Sequence, residues 1–186
     1  EELLERYKDD SRVWHIGAVN LQNGIQRGDG DYFFSKYSHI WGWASWASRW
    51  QFYDVEISNI KDSNFIRRTF KSKSMQQFWI KNLKKIKENK IDTWDFQWIF
   101  TIWSNDGLAI LPNANLILNI GFGEESLHTQ GESPTITSSE LTIKKHPSKV
   151  VYNEDADFYH YQNYNKPDPI FIRIKNKLKK IFSKIF

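Results

Sequence analysis

The stretch Ile91–Gly107, IDTWDFQWIFTIWSNDG, followed by Leu108–Ile120, LAILPNANLILNI, decides the reading of the fold. Asp92 stands where a helix N-cap belongs, Asp95 falls at the third helical position, and Gly107 lies just past the last periodic residue. Trp94, Trp98 and Ile102 recur every four residues and give this helix an aromatic face. The run after Gly107 reads as two short apolar strands around a turn at Pro112 and Asn113. Further strands are read over Arg12–Leu21 (RVWHIGAVNL) and Tyr32–Tyr37. Strands alternating with helices predict an α/β fold.

Outward from that core, Ser74–Asn89 is an amphipathic helix, with Phe78, Leu83 and Ile86 apolar and its lysines on a solvated face. Ser45–Phe52 begins a helix, Asp54–Phe70 has only weak periodicity, and Asp155–Tyr164 forms an aromatic helix that packs back on the body. Glu1–Asp10, EELLERYKDD, reads as the last turns of an amphipathic helix carrying Leu3, Leu4 and Tyr7, so a segment upstream of it is expected. Gln22–Asp31 and Gly121–Ser133 are glycine-bearing loops. The chain divides into a body, 1–165, and a basic tail, 166–186.

The 186 residues carry 26 basic and 22 acidic side chains and no cysteine. Six of the bases and none of the acids lie in Ile170–Phe186, which leaves the body slightly acidic and excludes a general nucleic-acid surface. Without cysteine there are no disulfides, thiolate zinc sites or cysteine nucleophiles, which fits a cytoplasmic setting. No apolar run approaches the roughly 20 residues that cross a bilayer. The tail, IFIRIKNKLKKIFSKIF, instead separates Phe171, Ile174, Leu178, Ile181, Phe182 and Ile185 from its bases, the pattern of a helix lying on an anionic membrane surface, or of one docking on a partner.

Three places carry candidate chemistry. His39–Trp50, HIWGWASWASRW, gathers four of nine tryptophans; four indoles need four N–H partners and a wide apolar surface, so they build either a core corner or the wall of a sugar pocket. Asp95, flanked by Trp94 and Trp98, is either one of a pair of helix-start carboxylates or a general base kept ionised by the helix dipole. In Gly121–His128, Glu124, Glu125 and His128 are potential ligands for a divalent cation, although the spacing fits no stand-alone metal motif. Asp29 and Asp31 in GDGD suit a turn or a metal equally. The other histidines, His15, His39, His146 and His160, read as structural. No Walker loop, GxGxxG, GxSxG or HExxH occurs.

Taken in order, EELLERYKDD, a strand ending in Asn20, YFFSKYSHIWGWASW (32–46), KIDTWDFQWIFTIW (90–103) and LPNANLILNIGFGEESLHT (111–129) resemble the C-terminal half of a bacterial family of nucleotide-diphospho-sugar transferases, also labelled hemolytic-protein-like, with a GT-A glycosyltransferase fold. The resemblance spans about Glu1–Thr129 and returns around His146–Phe158. It implies a mixed sheet flanked by helices and an acceptor-side fragment. The donor nucleotide and the acidic ligands of a Mn²⁺ or Mg²⁺ ion are expected in an N-terminal half that is not in this chain.

On that resemblance Asp95 is the general base, Trp41, Gly42, Trp43, Trp46 and Trp94 line the acceptor cleft, and His128 completes a metal or diphosphate site. The family's two arginines after the next tryptophan are replaced by Ala47 and Ser48, which leaves Arg49 as a substitute one place later. The implied protein transfers sugar from a nucleotide-diphospho-sugar to a polysaccharide or lipid-linked acceptor at the inner face of the cell membrane. The other reading is a non-catalytic carbohydrate-binding or membrane-docking module.

Overall fold

The computed structural model describes residues 1–118 and 137–166. Val13–Gly17 (β1), Tyr32–Ser35 (β2), Trp43–Ala44 (β3) and Leu108–Pro112 (β4) form one sheet in the order β2-β4-β1-β3. β4 lies parallel to β1, whereas β2 pairs antiparallel with β4 and β3 antiparallel with β1. The fold is therefore α/β with a four-stranded mixed sheet, and helices flank it.

The two central strands are apolar without alternation because both of their faces are covered. β4 is wholly buried, and in β1 only Ile16 is partly open. A one-residue bulge at Trp14 shifts the register, so that Val13 pairs with Leu108 and His15 with Ala109. The bulge lets Val13 and Ile16, three residues apart, face the same side as Tyr32, Phe34, Leu108 and Ile110. Glu2–Tyr7 (α1) covers that side through Leu3 and Tyr7. Ala47–Trp50 (α2) follows β3 as a single turn.

The larger core holds Asn64–Thr69 (α3), Lys73–Lys87 (α4) and Asp95–Ser104 (α5). It is built mainly from rings: Trp79 meets Phe78, Phe96, Phe100 and Trp103 edge-on, at centroid separations of 4.8–6.0 Å. Such T-shaped contacts set the positive ring edge against the negative face, which adds to simple burial. In α4, Met75, Trp79, Leu83 and Ile86 face inward at helical spacing while the lysines stay outside. Glu154–His160 (α6) runs into one π-helical turn, Tyr161–Asn165 (α7), and Asn153 caps α6 by accepting from Ala156 N at 2.9 Å.

Several expected boundaries move. α5 begins at Asp95 rather than Asp92, with Trp94 at the cap position, and its residues Gln97–Trp103 are all buried rather than one face alone. It is the central helix of the aromatic core, so no side of it remains for solvent. At its far end Gly107 N–H bonds Ile102 O at 2.8 Å and Asp106 N–H bonds Trp103 O at 3.1 Å, a Schellman ending in which Asp106 takes the left-handed position expected of glycine.

Among the described residues only one strand, β4, follows α5. Beyond Pro112 the asparagine side chains take over: Arg27 N–H donates to Asn113 Oδ1 and Asn20 N–H to Asn115 Oδ1, tying this segment to loops instead of a strand partner. The GDGD loop is a clasp: Asp31 accepts from Lys144 N and Lys145 N, and Asp29 from Ser148 N. Among the described residues no helix is long and apolar enough to cross a membrane. The basic tail beyond Lys166 and the loop around His128 lie outside the described residues.

Candidate functional site

α5 begins beyond the carboxyl end of β1, the end of a parallel pair at which α/β folds place their ligands. There Val19 and Leu21 from the segment after β1, Ser38–Trp41 from the segment after β2, and Asp95 line a pocket of about 220 Å³. The sheet delivers the first two segments side by side, and the helix start delivers the carboxylate. Trp41 and Leu21 supply apolar surface; Asp95, Ser38 and His39 supply polar groups.

The carboxylate of Asp95 accepts from its own helix at Phe96 N, 3.0 Å away, and from Thr93 Oγ1. Helix N–H groups favour the charged form, yet burial outweighs them and raises the Asp95 pKa above the ordinary carboxylate value. Burial and the helix-start N–H groups thus act on this carboxylate in opposite directions, and burial is the larger influence. Of the groups around it, the Ser38 hydroxyl is buried with no hydrogen-bond partner. An unpartnered hydroxyl on a pocket wall is a group left for a ligand.

His39 is neutral, since burial pushes its pKa down to about 4. Its ring lies 4.8 Å from that of His160, and its carbonyl accepts from His15 Nε2 at 3.0 Å. His15 in turn accepts at Nδ1 from Trp98 Nε1, 3.2 Å away, and stacks on Trp43 at 5.2 Å. This chain fixes the His39 backbone against α5, so the histidines that looked scattered include three linked behind the pocket. His146 is apart, bonded to the Tyr32 hydroxyl at 2.9 Å.

Of the residues expected at an acceptor cleft, Trp41 shares the pocket with Asp95. Trp94 is adjacent in sequence and 42% exposed, with its ring 5.8 Å from that of Trp43. Gly42 and Trp43 line a different feature, an apolar groove of about 420 Å³ that also takes in Leu3, Leu4, Ile110 and Ile143. Gly42 has φ +59°, and a Cβ there would meet Ile117 at 2.7 Å, so its role is backbone conformation and close approach.

Trp46 and Arg49 belong to the scaffold. Trp46 Nε1 donates to Leu4 O at 3.0 Å, and Arg49 Nη2 reaches Lys8 O at 3.0 Å and Asp10 O at 3.2 Å. With its guanidinium satisfied by carbonyls at the end of α1, Arg49 stands in that connection and not in the Asp95 pocket. His128, Glu124 and Glu125 fall outside the described residues. Among those described, no three histidine, cysteine, aspartate or glutamate side chains gather as a metal site.

Sequence reasoning missed Ser38 and the pocket role of His39. Nothing in their local pattern marks them; they join Asp95 only because the segment between β2 and β3 crosses to the carboxyl end of β1, where α5 begins. Comparisons of the chain with models of protein families, with characterised proteins and with solved structures find no match.

Proposed function

We propose that this chain is the acceptor-binding part of a glycosyltransferase, with Asp95 as the general base. The observation that carries the reading is one pocket holding a carboxylate of raised basicity, a free hydroxyl and an indole. A flat apolar ring beside a few fixed polar groups suits a pyranose, whose axial hydrogens present an apolar face and whose hydroxyls present donors and acceptors. The acceptor hydroxyl donates to Asp95 while Ser38 and the neutral His39 hold its neighbours. As the acceptor oxygen attacks the anomeric carbon of the donor, its proton passes to Asp95 and the nucleoside diphosphate leaves with the bonding pair. Resting the reading on the resemblance above, the donor would be a nucleotide-diphospho-sugar, and the basic tail would hold the enzyme at an anionic leaflet near lipid-linked acceptors. Among the described residues no cluster of ligands for Mn²⁺ or Mg²⁺ occurs.

Titration of the protein with a panel of monosaccharides, followed by tryptophan fluorescence and calorimetry, tests the pocket. Binding is expected, with Trp41→Ala abolishing it and Ser38→Ala weakening it about 3- to 10-fold, the value of one hydrogen bond. Because the Ser38 hydroxyl has no partner, Ser38→Ala is expected to leave the melting temperature unchanged or higher. With the donor-binding half supplied, Asp95→Asn is expected to keep sugar binding and to lower transfer from a nucleotide-sugar panel by at least about 100-fold. Unchanged transfer in Asp95→Asn defeats the general-base role. Sugar binding with no transfer by either protein, even with the donor-binding half supplied, favours a carbohydrate-binding module.

A further inference from the structure

On the opposite flank of the same helix start lies a second cavity, of about 380 Å³, that the general-base reading does not use. Its polar lining is Glu56, Lys87, Asn89, Asp92, Thr93 and Gln97. Gln97 is only 6% exposed, and its side-chain carbonyl oxygen has no hydrogen-bond partner. A buried acceptor without a donor is destabilising unless something supplies the donor. Gln97 follows Asp95 by two positions, about 200° around the helix, so the two side chains leave α5 on opposite flanks. Thr93 stands on the wall between: it lines this second cavity, and its hydroxyl donates to the Asp95 carboxylate lining the first.

The geometry points to a second sugar subsite at Gln97, so that the acceptor is a glycan of at least two linked sugar units. This rests on the acceptor-pocket reading of Asp95 and extends it. The lining mixes acceptors, Glu56, Asp92, Gln97 and the Thr93 hydroxyl oxygen, with donors, Lys87 and Asn89. Lys87 already gives its ammonium to Ile60 O, and no ion pair within the chain is seen for Glu56 or Asp92 among the described residues. Sugar hydroxyls both donate and accept, and therefore match such a ring without needing one sign of charge. The size falls within the range of small-molecule sites, about 300–1,000 Å³. A hydroxyl donating to Gln97 Oε1 would supply the missing partner.

The test compares a panel of α- and β-linked hexose and N-acetylhexosamine disaccharides with their component monosaccharides, by calorimetry on the intact chain. At least one disaccharide is expected to bind 10-fold or more tightly than either component. Gln97→Leu is expected to erase that advantage while leaving monosaccharide affinity at the Asp95 pocket unchanged, and to fold at least as stably as wild type because the orphaned oxygen is gone. Asp92→Ala, on the exposed rim, provides a second variant with little risk to the fold and is expected to weaken disaccharide binding alone. If monosaccharides bind but no disaccharide binds better, the second subsite is wrong and the acceptor pocket stands. If the advantage survives in both Gln97→Leu and Asp92→Ala, the extra sugar lies elsewhere and the assignment is overturned. If no sugar binds at all, both readings fall together.

Discussion

His15 shows how much one buried side chain can decide. Its Nε2–H donates to His39 O and its Nδ1 accepts from the Trp98 indole, an arrangement that only the neutral imidazole protonated at Nε2 satisfies. Burial lowers its pKa to about 3, against about 6.5 in an unfolded chain. A histidine whose folded pKa is depressed contributes stability that is fully present above the unfolded value and is lost as pH falls toward the folded one. His39, lowered to about 4, has the same sign. Urea midpoints are therefore expected to drop steeply between pH 6.5 and 4. His15→Phe should flatten that slope and, by orphaning the Trp98 N–H and the His39 carbonyl, cost about 2 kcal/mol or more at pH 7. An unchanged acid slope in His15→Phe would show that the titration belongs to other groups. The same carbonyl borders the Asp95 pocket, so the variant is also expected to weaken sugar binding.

α5 and its ending illustrate what an element requires of its neighbours. Gly107 is not the left-handed residue of the helix ending, because Asp106 holds φ 54° there. Glycine is needed instead for space, since a Cβ would lie 2.7 Å from the Trp14 ring and 2.9 Å from Ile102. The indole cannot swing away without breaking its 2.8 Å bond to Ser11 O. Gly107→Ala is expected to destabilise the protein by about 1–3 kcal/mol in urea denaturation, the usual range for overpacking. Gly24→Ala, with φ +77° and no atom within reach, isolates the backbone cost and should lose about 1 kcal/mol or less. The glycine was legible in the sequence as a helix end, but its reason was not, because Trp14 arrives from β1. The same limit explains the rest of what local pattern missed. Apolar runs and helical spacing located β1, β2, α4 and α5, since burial imposes those periods. The fate of Trp46 and Arg49, and the meeting of Ser38 with Asp95, depend on how the sheet orders its strands, which no local spacing records.

At the scale of the molecule, one buried carboxylate ties α6 to the end of a strand. Asp157 accepts from Ser35 Oγ at 2.5 Å and from Lys36 N at 2.9 Å, so it joins the helix to the end of β2. The Lys36 ammonium lies over the Tyr152 ring at 5.5 Å, and the isolated bridge from Phe34 to Tyr152 brings the segment before α6 alongside β2. Burial pushes the Asp157 pKa up to about 7 against these bonds. A carboxyl whose folded pKa is raised binds its proton more tightly when folded, so its contribution is fully present below the unfolded value near 3.9 and declines as pH rises to 7. This slope opposes that of the histidines. Below pH 6.5 the buried histidines outweigh Asp157 and stability rises with pH; toward pH 7 the histidines of the unfolded chain and the folded Asp157 titrate together, and the two slopes nearly cancel. The protein is therefore expected to reach a broad maximum of stability near neutral pH, with a steep decline on the acid side. Asp157→Asn should remove this opposing slope, steepening the rise of stability between pH 4 and 7, and, since an amide turns one donor toward a donor, lower the maximum by about 1–3 kcal/mol. If α6 is anchored through this carboxylate, hydrogen exchange in Asp157→Asn should accelerate across residues 154–165 before the sheet amides change. Uniform acceleration through the whole chain would mean that the helix and the sheet unfold as one unit and that Asp157 is only one of many ties between them.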